Sequence, residues 1–333
     1  MKKVMVIGAT GAMGRYLVPE LVSLGYQVTA VSLDGGTPAG ELVTPVKGDC
    51  KNKEFLMSLL AQGFDGVVDF MIYGNHDFPD YYKLFLENTG HYIFLSSCRV
   101  YDDKEHPVRE TSPRLLDSSE DAELRASNDY SIHKAHSENL LMASPYQNWT
   151  VVRPATTFST LRFQLVTLEA RDNVGRALRG KKVVLPREAK DVPATLCWGG
   201  NVAKLIARIL FKEEAKRDFY NVCSSEYQTW GTIADYYKEL VGLEAVWVDK
   251  EDYLAILDPE VKTSTRWQLE YARLFRRITD NSKVLALTGV KQEELVSMYD
   301  GLKLEVGNIP ENYEFTDSPI GVRMDEYLKK HQL

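Results

Sequence analysis

The stretch Gly8-Ala9-Thr10-Gly11-Ala12-Met13-Gly14 decides the fold. The apolar run Val4-Met5-Val6-Ile7 comes before it, and Tyr16, Leu17, Val18, Leu21, Val22 and Leu24 follow at helical spacing. Together they read as a strand, a glycine-rich turn and a helix. Glycine removes the Cβ that would block a tight turn or the close approach of a pyrophosphate, and the helix N-terminus beyond presents unpaired N–H groups. The spacing is G-x-x-G-x-x-G rather than G-x-G-x-x-G. Its position directly after the first strand favours a nucleotide-phosphate site over an ordinary glycine turn. Gly8, Thr10, Gly11, Ala12, Met13 and Gly14 are therefore candidate cofactor contacts.

The 333 residues, 44% of them hydrophobic, are enough for one large domain or two joined lobes. No run of eighteen apolar residues occurs, and the chain moves from Met1-Lys2-Lys3 straight into a strand. Neither a membrane span nor a secretory signal is expected, so the location expected is cytoplasmic. Cys50, Cys98, Cys197 and Cys223 are far apart and lack C-x-x-C spacing, which points to buried thiols rather than zinc ligands or disulfides. A net charge of −7 repels a phosphate backbone, so no nucleic-acid partner is expected.

Gly25 closes the first helix, and Gln27 to Ser32 read as the second strand. At its end a carboxylate would bind the adenosine ribose and an arginine would accept a 2′-phosphate. Here Ser32 stands at that place, Asp34 comes two residues late and no Arg is present, which points to NAD and leaves NADP open. Further strands are expected at 41–46, Gly66 to Ile72, His91 to Ser97 and Trp149 to Pro154. Helices are expected around 55–60, 78–86 and 127–142, and a long irregular excursion from Asp102 to Asn128. This β-α alternation means a parallel sheet. His76 and His91 read as loop residues with no metal-ligand spacing, and no metal site is expected.

Beyond Thr160 helical segments, Phe163 to Leu178, Val202 to Phe211 and Glu293 to Leu302 among them, alternate with short extended ones. A further βα pair falls at Phe219 to Val222 and Trp230 to Leu240. The expected organisation is a dinucleotide-binding domain over 1–160 and a smaller mixed substrate lobe over 161–333, with about 195–225 returning to the first. The fold class expected is α/β, a Rossmann-like doubly wound parallel sheet.

The strand 91–97 ends in two hydroxyls, and in a doubly wound sheet Ser96 and Ser97 should face the crevice of the glycine turn. The helix that follows carries Tyr130-Ser131-Ile132-His133-Lys134, with Tyr130 and Lys134 on one face. A phenol with a pKa of about 10 needs a nearby cation to act in proton transfer near neutrality, and Lys134 can supply it. Ser97 can hold a substrate oxygen while Tyr130 exchanges its proton. A chain with 18 tyrosines shows Tyr-x-x-x-Lys by chance about once. A second copy does occur, at Tyr299 and Lys303, but no serine-tipped strand precedes it, so it reads as an ordinary helix pair.

With Gly8-x-x-Gly11-x-x-Gly14, Gly48-Asp49, Ser96-Ser97-Cys98-Arg99-Val100-Tyr101, Tyr130-x-x-x-Lys134 and Arg153-Pro154 in this order, the first 155 residues resemble the extended short-chain dehydrogenase/reductase family of sugar-nucleotide epimerases, dehydratases and reductases. The resemblance implies catalytic roles for Ser97, Tyr130 and Lys134, the last also on the nicotinamide ribose. It implies that Asp49 and Cys50 meet the adenine, that Phe70, Met71 and Ile72 line the cofactor pocket and that Pro154 belongs to it. Homodimerisation through the helices flanking the sheet is a further implication. Met71-Ile72 replaces the family's Ala-Gly, which narrows that wall. The substrate half lacks the family's arginine before Ala194 to Ala203, leaving Arg273, Arg276 and Arg277 either as diphosphate ligands or as a solvated helix face. The resemblance also implies that a dehydratase carries an added acid or base beside the serine; Cys98 and Arg99 occupy those places, which favours reduction or epimerisation. The function expected is that of an NAD(P)-dependent oxidoreductase or epimerase acting on a hydroxyl or keto group of a sugar-like, nucleotide-linked small molecule. The alternative is a non-catalytic dinucleotide-binding regulatory or RNA-associated protein on the same fold.

Overall fold

Val4, Met5 and Val6 are fully buried, as a strand covered on both faces requires. They lie on an interior strand of a seven-stranded sheet in the computed structural model, which describes residues 1–333. The strands β1 (Lys3–Ile7), β2 (Gln27–Ser32), β3 (Val43–Lys47), β4 (Phe64–Asp69), β5 (Thr89–Leu95) and β6 (Trp149–Arg153) are joined at one edge by Asp218–Asn221. Every pairing is parallel, and the spatial order runs from Asp218–Asn221 through β6, β5, β4, β1 and β2 to β3. Connections reverse direction between β1 and β4. A doubly wound sheet opens its ligand crevice at the carboxyl ends on either side of such a point. Ile7 pairs with Asp69 there, so the chain leaves the sheet at Gly8 and Phe70 side by side.

Helix α1 (Gly14–Ser23) buries Leu17, Val18 and Leu21 and packs on the helix Gly199–Ile209. Met5, Ile7, Val67 and Phe94 of the sheet share a core with Leu56 and Leu59 of α2 (Lys53–Leu60), with Phe85 of α3 (Tyr82–Asn88) and with Phe78. These elements belong to a first compact unit of residues 1–157, 199–224 and 280–295. The second, residues 158–198, 225–279 and 296–333, pairs Val183–Pro186 with Ala245–Val248. Its core holds Phe163, Trp230, Tyr237, Tyr253, Leu302 and Met324. No helix is long and apolar enough to cross a membrane. All four cysteines are free and buried.

Several element boundaries differ from the sequence reading. β4 stops at Asp69 because its carboxylate draws the chain out of line, accepting the Met71 N–H at 2.9 Å and the Tyr73 hydroxyl at 2.8 Å. Residues 163–173 are not helical; only Val174–Leu178 is. The Asn173 side-chain amide donates to the carbonyls of Phe163 (3.0 Å) and Leu168 (3.2 Å), so a polar side chain captures the backbone in place of helix bonds. The excursion 102–128 contains two short helices, Leu115–Ser118 and Ala122–Ala126. A late helix runs over Met298–Gly307 rather than 293–302, its start set by Ser297, whose hydroxyl accepts the Asp300 N–H.

His91 is not a loop residue but a buried member of β5. Its Nδ1 accepts the Phe211 N–H at 3.0 Å, so Nε2 carries the proton and donates to Thr150 Oγ1 at 2.8 Å. Burial, with Lys216 nearby, pushes this imidazole down from 6.5 to about 4. Between these values the unfolded chain binds a proton that the folded chain does not, so stability is lost as pH falls through the window, by about 2–3 kcal/mol for this one group. Urea midpoints measured from pH 7 to pH 4 should fall in the wild type and fall less steeply in His91→Gln. Equal slopes would show that His91 carries none of this dependence.

Candidate functional site

The glycine turn is a cradle made by backbone contact. A Cβ on Gly14, the first residue of α1, would lie 2.2 Å from the Gly8 carbonyl oxygen, and one on Gly11 3.1 Å from the same atom. Gly8 itself has φ +83°, where a side chain is strained, with Phe70 Cβ against it. Gly199 presses from the other side: a Cβ there would meet the Ala12 carbonyl oxygen at 2.3 Å. The helix Gly199–Ile209 therefore begins three residues before the expected Val202, where the missing side chain lets it abut the turn. No side chain caps α1 and no acid stands in its first turn. Its positive end is thus open to an anion, and the residues present fit a dinucleotide pyrophosphate.

Ser32, Asp34 and Thr10 come together beside the glycine turn. Ser32 is buried and its hydroxyl accepts the Gly35 N–H at 3.0 Å, turning the chain so that Asp34 comes back toward the glycine turn. Hydrogen bonds from the Gly36 N–H and from the hydroxyls of Ser32 and Thr10 hold the Asp34 carboxyl below its usual range. A local turn thus brings Asp34 beside Thr10 despite its later place in the sequence. Asp49 is exposed, with its carboxylate on the Lys51 N–H. Cys50 is buried in the core, and burial with Asp69 and Asp49 nearby pushes its thiol up to about 12. Its side chain is a core group, and only its backbone remains to meet an adenine.

Of the three residues after Asp69, Phe70 lies against Gly8. Met71 packs onto the core under the sheet, and Ile72 is 55% exposed. The narrowing expected from Met71-Ile72 is therefore not produced by the Met71 side chain. Asp69 accepts the hydroxyls of Tyr73 and Tyr92, each at 2.8 Å, and burial raises its pKa despite those bonds.

At the ends of β5 and β6 the two serines separate. Ser97, extended at φ −162°, accepts the Arg99 N–H at 3.2 Å, so its own hydroxyl proton is free for an oxygen in the crevice. Ser96 does not face the crevice. It is fully buried and donates to Glu138 Oε1 at 2.6 Å, because alternation along an extended chain sends neighbours to opposite sides. The turn carrying Ser97 is tied down by the Cys98 N–H, which donates to the Pro154 carbonyl at 3.0 Å.

Tyr130 opens the helix Tyr130–Ala143, whose start is set by Asp129: its carboxylate accepts the Ser131 N–H at 2.9 Å. One turn on, Lys134 is fully buried, with Nζ 5.8 Å from the Tyr130 ring centroid and donating to the Leu95 carbonyl at 2.6 Å. Burial pulls its ammonium down to about 8, with Asp69 and Glu138 opposing. Ser97, Tyr130 and Lys134 are thus held at the same strand ends. The sequence reading missed what surrounds them. Arg99 lies 5.2 Å over the Tyr130 ring and pairs with Asp129, and His133 meets that ring edge-on at 5.2 Å. Burial pushes His133 down to about 4, so it is neutral at pH 7. Beneath the site Glu138 joins Arg153 by two bonds of 2.8 and 2.7 Å and takes a third from Arg114 at 3.0 Å. An acid eight residues after Tyr130 on the same helix, facing the arginine of Arg153-Pro154, was the available signal for that network.

Arg273, Arg276 and Arg277 do not form a solvated helix face. Arg273 ends a wide helical turn and its carbonyl accepts the Trp230 indole N–H, while Arg277 is buried against Phe275 and fixed through Thr195. Tyr299 donates to Glu239 at 2.6 Å within the second unit.

A family described as NAD(P)H-binding matches residues 8–183, more than half of the chain. The solved structure of an epimerase from Methanothermobacter thermautotrophicus superposes with a TM-score of 0.71 at 16% identity, covering 99% of this chain and 94% of that one. UDP-glucose 4-epimerase of Thermus thermophilus, in complex with NAD, gives 0.69 at 17% identity, covering 93% and 100%. These likenesses establish the fold. Among curated proteins, the chloroplast stem-loop binding protein of 41 kDa b of Arabidopsis thaliana is 25% identical over 249 residues, which is 70% of this chain and 61% of that protein.

The backbone contact at Gly199 yields a direct test. Gly199→Ala should lower the melting temperature by several degrees and weaken NADH binding, since the methyl must displace the turn. Gly307, with nothing within 4 Å of its missing Cβ, is the control. Gly307→Ala should be neutral or stabilise by about 0.5 kcal/mol. Equal effects of the two variants would count against the contact.

Proposed function

Because the chain belongs to the NAD(P)H-binding family, we propose that it is an NAD(P)-dependent oxidoreductase or epimerase acting on a hydroxyl or keto group of a sugar-like, nucleotide-linked substrate in the cytoplasm. The observation that carries this reading is the placement of Ser97, Tyr130 and Lys134 at the strand ends that also hold the glycine turn. Gly8, Gly11 and Gly14 would cradle the pyrophosphate, with Thr10, Ala12 and Met13 beside it. Ser32 and Asp34 would meet the adenosine ribose, and Phe70 and Pro154 would flank the remainder. When bound, the dinucleotide supplies a hydride donor or acceptor.

The chain's own residues do the rest. Ser97, its oxygen already accepting from the Arg99 N–H, donates its proton to the substrate oxygen and orients it. Tyr130 gives or takes the proton on that oxygen. Lys134 stabilises the phenolate form of Tyr130; before the dinucleotide arrives its ammonium is held by the Leu95 carbonyl. The absence of a carboxylic acid at Cys98 and Arg99 leaves no added acid and base for elimination, so reduction or epimerisation is the reaction proposed.

The stem-loop binding name of the Arabidopsis relative suggests the other reading, an RNA-associated protein on this fold. The net charge of −7 and the retained Tyr130–Lys134 pair weigh against it.

Fluorescence titration with NADH and with NADPH should show saturable binding of at least one. A panel of nucleotide sugars should then reveal hydride exchange. Tyr130→Phe should bind the dinucleotide as the wild type does and lose at least about 100-fold of turnover. Absence of binding at millimolar dinucleotide, or full activity of the Phe variant, would overturn the proposal.

A further inference from the structure

We propose that Arg99 is a positioning residue for Tyr130: anchored on Asp129, its guanidinium lies against the phenol ring as a fixed positive charge that favours the phenolate, while its backbone aligns Ser97. This rests on the reading of Tyr130 as the acid/base. Three contacts meet in the one residue. Its N–H donates to Ser97 Oγ at 3.2 Å, its terminal nitrogen reaches Asp129 Oδ1 at 3.3 Å, and its guanidinium carbon stands 5.2 Å from the Tyr130 centroid. The pair is sheltered, with side chains 15% and 6% exposed. Arg99 Nε is buried without an acceptor in the protein, so Asp129 does not consume the whole guanidinium.

The carboxylate of Asp129 opposes this charge only in part. It also accepts from the Ser131 N–H at 2.9 Å and the Ser131 hydroxyl at 2.7 Å, so the N-terminus of the helix takes up part of its charge. The other charged or titratable groups around the ring act differently. His133 is neutral above about pH 4, and Asp77 lies beyond it. Lys134 donates to Leu95 and sheds its charge as pH passes about 8, with Asp69 behind it. A guanidinium stays charged throughout. Arg99 is therefore the cation that still faces Tyr130 where a phenol titrates.

The full chain carrying tyrosine labelled with ¹³C at Cζ, titrated by NMR from pH 7 to 10.5, reads the phenol directly and needs no substrate. Tyr130→Phe identifies the resonance. Arg99→Gln should raise the Tyr130 midpoint by about one unit, a tenfold loss of phenolate at fixed pH, and Arg99→Lys should restore more than half of it. Arg99→Met carries the same expectation as Gln should the latter not fold. A midpoint unchanged in the Gln or Met variant, or a Lys variant as shifted as they are, overturns the proposal. Lys134→Met separates the two readings. If it raises the midpoint and Arg99→Gln does not, Arg99 has no such role and Tyr130 keeps its own; if neither moves it, cationic tuning of Tyr130 fails altogether.

Discussion

Two backbone approaches at the first turn of the sheet constrain everything built on it. Gly14 brings the start of α1 onto the Gly8 carbonyl, and Gly199 brings a second helix onto the Ala12 carbonyl, at distances no side chain would permit. The first sets the angle at which α1 leaves β1, and the second seats the Gly199–Ile209 helix beside it. Gly8, Ala9 and Gly11 spend their N–H groups on the Val31 and Gly8 carbonyls, so what the turn leaves open is the uncapped start of α1. The same absence of side chains that allows the packing thus creates the site for an anion.

A second constraint lies under the strand ends, where charged groups are buried in pairs and triples. Glu138 between Arg153 and Arg114 is kept below its usual range; burial alone would raise it, and the two guanidiniums and the Ser96 hydroxyl outweigh burial. Breaking such a buried pair from one side costs about 3–5 kcal/mol, which makes the network a rigid floor rather than a source of net stability. On that floor stand Ser97, on a turn anchored to Pro154, and Tyr130, on a helix capped by Asp129. Lys134 is held between Asp69 and Glu138, close enough for both to resist its deprotonation.

Much of this was legible in the residues. The glycine spacing, the continuous apolar strands and the order of Ser97, Tyr130 and Lys134 led to the parallel sheet and to the crevice at its carboxyl ends, because periodicity and turn chemistry are local properties. What escaped was set by side-chain capture or by alternation over one residue. Asn173 unwinds a segment whose apolar spacing looks helical, and Asp69 ends a strand whose apolar run continues to Ile72. Ser96 points away from Ser97, and His91 sits in the sheet because its two nitrogens find partners from 59 and 120 residues away. Asp34 reaches the glycine turn only because Ser32 folds the loop. None of these partners can be read from spacing.

In the proposed mechanism the glycine turn and the Ser97, Tyr130 and Lys134 group serve one bound dinucleotide. A crystal structure of the chain grown with NADH decides whether they do. Pyrophosphate oxygens are expected on the N–H groups at the uncapped start of α1, with Lys134 Nζ released from the Leu95 carbonyl onto a ribose hydroxyl and Tyr130 beside the nicotinamide. A dinucleotide bound away from the turn, or bound there with its nicotinamide remote from Tyr130 and Lys134 still on Leu95, would contradict it.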